Sequence, residues 1–154
     1  MQQTSYAHRV ELDVPYEEAV RRTSAALREQ GFGVLTEIDV KATLKAKLDV
    51  DFRKYVILGA CNPPLAARAL GAELEVGLLL PCNVIVYETE AGKSAVSVMA
   101  PLAALGLVGG NEVLRNVADE ADQKLKKALA SLESMNAQRP KEDSSPVRRG
   151  NRAI

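Results

Sequence analysis

Apolar and polar positions alternate near the start of the chain. Val10, Leu12 and Val14 interleave with Arg9, Glu11 and Asp13, which predicts a strand over Tyr6–Val14. Pro15 then opens a helix, with Glu17 and Glu18 in the first turn, where the helix dipole favours acids. Tyr16, Ala19, Val20, Thr23, Ala26 and Leu27 share one face of it, and Gly31 is the stop signal. Phe32–Ile38 reads as a second strand. Asp39 suits the N-cap of a short helix to about Leu48, striped by Val40, Leu44 and Leu48.

The apolar run Tyr55–Ala60 predicts a central strand. Asn62 and Pro63 are a cap and a first helical residue for a helix to about Ala72. The long apolar stretch Val76–Glu88 predicts a strand from Gly77 that kinks at Pro81 and resumes as Asn83–Glu88. Glu90–Lys93 turns it into a hairpin with Ser94–Met99. Pro101–Gly110 is a short apolar linker with room for one weak helical turn, broken at Gly109-Gly110. Asn111 caps a last helix, whose stripe is Leu114, Val117, Ala118, Ala121, Leu125, Ala128 and Leu132.

The order βαβαβαββα predicts an α+β fold, with a mixed sheet and helices mainly on one face. The folded domain is expected over residues 1–136. Residues 137–154 have few apolar positions and read as a disordered basic tail. Five basic residues (Arg139, Lys141, Arg148, Arg149, Arg152) face two acidic ones there. The tail is therefore +3 and, since the whole chain is neutral, the body is −3.

An acidic body gives no electrostatic footprint for nucleic acid, so no nucleic-acid partner is expected. Aromatic residues make up 4% of the chain, too few for a surface that stacks bases. No apolar run approaches a membrane span, and the first residues do not read as a signal peptide, so the cytosol is the expected compartment and no membrane partner is expected. In the cytosol both cysteines should be thiols.

Chemistry concentrates in Leu58-Gly59-Ala60-Cys61-Asn62-Pro63-Pro64-Leu65-Ala66. This segment puts Cys61 between a strand end and a helix start. Free N–H groups at a helix N-terminus attract anions and lower a thiol's pKa. Gly59 and Ala60 leave room for the close approach of a ligand. Cys82 follows Pro81, and a bulge there would aim it at the same pocket. The candidate ligand-binding residues are Cys61, Asn62, Cys82 and Asn83, and the catalytic candidates are Cys61 and Cys82. The competing reading is that both cysteines are small hydrophobes in the core.

Other motifs exclude more than they suggest. His8 is the one histidine, and the two cysteines lie far apart without a Cys-x-x-Cys motif. No metal site and no cofactor is therefore expected. Glu37 and Asp39 are close enough for acid–base work, but Asp39 is already needed as a cap. The basic stretch Lys41–Lys54 reads as a solvated face. Gly106–Gly110 lacks the lysine and hydroxyl of a phosphate loop, and no Gly-x-Ser-x-Gly is present.

Three segments, Gly31–Lys41, Leu58–Ala66 and Leu78–Val84, resemble in order the domain-of-unknown-function 302 family over roughly Tyr6–Leu132. The resemblance implies a compact α+β domain of bacteria and archaea, often a homodimer. It implies no activity. Cys61 and Cys82 both fall in segments typical of the family. Three functions follow as expectations. The first is a non-catalytic module that binds a small anionic or sulfur-containing ligand near Cys61. The second is a thiol enzyme of sulfur transfer or redox chemistry, using Cys61 and Cys82. The third is a structural or regulatory dimeric interaction domain.

Overall fold

The computed structural model describes residues 1–137. The expected tail lies outside the described residues, apart from Ala137, which ends the last helix.

The strands are β1 (Gln2–Gln3), β2 (Ala7–Leu12), β3 (Gly33–Asp39), β4 (Tyr55–Cys61), β5 (Cys82–Glu90) and β6 (Lys93–Met99). The helices are α1 (Tyr16–Glu29), α2 (Val40–Leu48), α3 (Pro63–Ala72), α4 (Pro101–Leu105) and α5 (Glu112–Ala137). The strands form one sheet in the order β1-β2-β6-β5-β4-β3. The fold is α+β, as the pattern predicts.

Every pairing in the sheet is antiparallel, so it is not mixed. The reason lies in the connections. A parallel neighbour needs a crossover that runs the length of the sheet. α2 has nine residues, none of them buried, and packs only at the junction of β3 and β4. The chain therefore turns back beside the strand it left. β2 and β3 do run in the same direction across α1, but β6, β5 and β4 lie between them.

α1 and α5 cover one face of the sheet, and α3 and α4 pack against α5. Val10, Leu12, Val56, Leu58, Val84, Val86, Val96 and Val98 meet them from the strands, and these side chains are almost wholly buried. α5 supplies Leu114, Val117, Ala118, Ala121, Leu125, Ala128 and Leu132, which is the predicted stripe, and adds Leu129. Burial of this aliphatic surface at ~25 cal/mol per Å² is the main force that holds the two layers together. The opposite face has no helix layer. It carries the stacked rings of Tyr55 and Tyr87, with centroids 5.4 Å apart.

One local expectation changes, and a second is made definite. Leu74–Leu79 is a 3-10 helix, not the first half of a strand. A short apolar run has no period that separates these forms. Pro81 has no N–H to give to a ladder, so β5 begins only at Cys82. The apolar linker after β6 holds a real helix, α4, with Pro101 at its first turn. The caps behave as predicted: Asp39 Oδ1 accepts from Ala42 N–H at 2.9 Å, and Asn111 Oδ1 accepts from Leu114 N–H at 3.2 Å.

Candidate functional site

The site forms where β4 ends. Cys61 is its last residue, and Asn62 turns the chain into α3. The Asn62 side chain works in two directions. Its Oδ1 accepts from Leu65 N–H at 3.4 Å, and its Nδ2 donates to Gln30 O at 3.4 Å. The second bond ties α3 to the end of α1. Gly31 makes it feasible, with a φ of +82° and a position where a Cβ would stand 3.0 Å from Asn62 Nδ2. Phe32 follows and is buried at the base of the same corner.

Between α3, α4, α5 and the strand ends lies an open cavity of about 330 Å³. α3 lines it with Leu65, Ala66, Ala69 and Leu70. α4 contributes Ala104 and Leu105, and α5 contributes Val117 and Ala121. The β3 bulge adds Leu35 and Thr36, and the chain leaving the 3-10 helix adds Leu79, Leu80, Pro81 and Cys82. Cys61 and Asn62 complete the β4 end. Among the described residues Thr36, Cys61, Asn62 and Cys82 are its only polar or thiol side chains, and no charged one lines it.

The structure thus brings Cys61, Asn62 and Cys82 to one cavity. Asn83 is elsewhere: it is exposed and pairs in register with Gly59, away from the cavity lining. Strand alternation explains this. Cys82 pairs with Ala60 and continues the core-facing series of Val84 and Val86, whereas Asn83 is in phase with Ile85 and Tyr87.

The same alternation separates the two thiols. Cys61 is in phase with Gly59 and Ile57, one strand face away from Cys82. Both reach the cavity because it wraps around the end of β4. Burial pushes the Cys82 thiol up to about 11, with the neighbouring Cys61 adding to the effect. At neutral pH it is a protonated, weakly nucleophilic group.

The α3 N-terminus has no anion site. Pro63 and Pro64 carry no N–H, and that of Leu65 goes to Asn62. The space above Gly59 is also taken. A Cβ there would collide with Thr36 Oγ1 and lie 2.9 Å from Pro81 Cγ. The glycine admits protein atoms, not a ligand. Among the other candidates, Asp39 is a cap, and Lys45 pairs with Asp49 at 2.8 Å. Among the described residues no group of three or more His, Cys, Asp or Glu could hold a metal ion. No described helix is long and apolar enough to cross a membrane.

One polar cluster escaped the sequence reading. His8 Nε2 is 2.7 Å from Asp122 Oδ1, both side chains are buried, and Lys126 Nζ donates to Asp122 Oδ2 at 2.9 Å. Burial opposes the charge on Asp122, but the hydrogen bonds from Lys126 and His8 outweigh it and hold the carboxyl below its ordinary pKa. The signal was present in the periods. His8 is in phase with Val10 and Leu12, and Asp122 is four residues beyond Ala118 on the buried stripe. The cluster joins β2 to α5 and lines no part of the cavity.

No curated protein matches this chain. A solved structure does, described as an uncharacterized conserved protein DUF302 from Bacillus stearothermophilus. It is 31% identical, with a TM-score of 0.76 over 84% of this chain and 99% of that one. The sequence model of one family, described as "Domain of unknown function DUF302", matches residues 8–132. Over residues 8–132, then, the chain belongs to the DUF302 family.

Proposed function

We propose that this domain is a non-catalytic binding module that holds a small molecule in the cavity beside Cys61. The observation that carries the reading is the cavity itself: about 330 Å³, open, and lined by aliphatic side chains around two thiols. Pockets of this size and character hold small ligands, with a few polar groups to orient them. No carboxylate, histidine, lysine or arginine lines the cavity. General acid–base chemistry is left with the two thiols alone, and burial raises the pKa of Cys82.

A sulfur-containing ligand remains in keeping with Cys61 and Cys82 on the wall. An anionic group inside the cavity would have no partner, because among the described residues no cation lines it and the α3 N–H donors are absent or used. The thiol-enzyme reading is weaker for two reasons. Cys82 is protonated at neutral pH, and regular strand alternation points it to the other face from Cys61.

Native mass spectrometry of protein purified from its own host tests the proposal. The expected result is a bound small molecule that is lost when Ala66, half-buried on the cavity wall, is replaced by Phe. Empty protein, together with no melting shift from any member of a chemically mixed ligand library, would overturn it.

A further inference from the structure

Exposed leucines also lie on the segments that line or lead into the cavity. Leu74 and Leu78, on the 3-10 helix that leads into the lining residues Leu79 and Leu80, are 81% and 83% exposed. Leu35, on the opposite lip, is 68% exposed. Leu35 also lines the cavity, so the apolar surface continues outward at that lip. Charge is nearly missing here. Between Pro63 and Leu80 the charged residues are Arg68, Glu73 and Glu75, and Arg68 pairs with Glu120 on α5 at 2.9 Å. From Pro101 to Gly110 there are none.

From this we infer that the ligand is a single unbranched aliphatic chain, its tail in the cavity and its polar head at the leucine rim in solvent. The inference rests on the binding-module reading and names its ligand class. At ~30 Å³ per heavy atom, comparable to the share of a water molecule in the liquid, the cavity takes about ten chain atoms. Such a chain meets aliphatic walls throughout and needs no ion partner. The chain is a free molecule and not part of a bilayer, because among the described residues no basic side chain lines the cavity to hold lipid headgroups.

Displacement of Nile red from the full-length protein tests this with straight-chain primary alcohols from butanol to dodecanol. Decanoate, glutathione, inorganic phosphate and phosphatidylcholine vesicles serve as comparison arms. Affinity should rise about fourfold per methylene, the equivalent of ~0.8 kcal/mol, and level off near ten carbons. Decanoate should match decanol, and vesicles should not bind. Ala104→Leu should move the plateau to shorter chains. Should that variant not fold, the plateau in the unaltered protein still decides. Binding of glutathione or phosphate with no response to alcohols overturns the aliphatic class and leaves the binding module standing. Vesicle binding with no plateau overturns the free-chain assignment. Failure of every probe removes both readings.

Discussion

Ala121 and Asp122 are neighbours on α5, yet they face two different interiors. Ala121 lines the cavity at the β4 end. Asp122 meets His8 of β2 in a sealed contact. At the β2 side each polar group is bound to another, with His8 Nδ1 left unpartnered among the described residues. At the β4 side the aliphatic walls stand apart, and four polar or thiol side chains border the space. The sealed side fastens the long helix to the sheet. The open side leaves room that packing alone would fill. Charge is confined to the place where it is satisfied, and the cavity is left free of it.

The largest expected effect breaks the sealed side. Asp122→Ala removes the partner of both His8 and Lys126, leaving a buried imidazole without a hydrogen bond. Unfolding in urea should show a loss of roughly 3 kcal/mol. A loss under about 1 kcal/mol would mean the cluster does not tie β2 to α5.

Next comes Gly59→Ala. The added methyl must displace Thr36 or Pro81, at an expected cost of about 2 kcal/mol by the same measurement. A neutral outcome would show that the end of β4 is looser than its backbone suggests.

The pH dependence separates the sides further. The Asp122 pKa is lowered in the fold, so its contribution is present above the ordinary carboxylate range and is lost as pH falls through the folded value. Melting curves between pH 7 and 3 should fall more steeply for the unaltered chain than for Asp122→Asn. The open side titrates at the other end. The Cys82 pKa is raised from 9.0 to about 11, so its contribution is intact below 9 and lost as pH rises towards 11. Cys82→Ala should flatten that alkaline loss, and iodoacetamide at pH 7.5 should label Cys82 only after unfolding. Rapid labelling in the folded state would show that the thiol is not held protonated.

The smallest effect is Ala121→Val. Its extra methyls enter the cavity, and stability should change by less than about 1 kcal/mol in the same urea assay. A larger cost would make the two sides equally tight.

Much of the architecture was legible because it depends on local periods and caps. The α5 stripe from Leu114 to Leu132, the Asp39 and Asn111 caps and the β5–β6 hairpin all follow from neighbours in sequence. The 3-10 helix at Leu74–Leu79 was not legible, since a short, mostly apolar run fits a strand or a helical turn alike. The candidate site was half legible. Cys61 and Asn62 lie where a strand meets a helix, as read, but the expectation of an anion there missed that Pro63 and Pro64 remove the donors. Asn83 was grouped with Cys82 by adjacency, and strand alternation sends it to the other face.

The sequence by itself determined most of the strands and helices and which of their faces are apolar, because those properties are set by residues within a few positions of one another. Only the tertiary structure decided that the sheet is antiparallel throughout, that His8 meets Asp122 across 114 positions, and that aliphatic walls from α3, α4 and α5 stop short of closing. Those outcomes depend on how far one layer stands from another, and no local pattern encodes that distance.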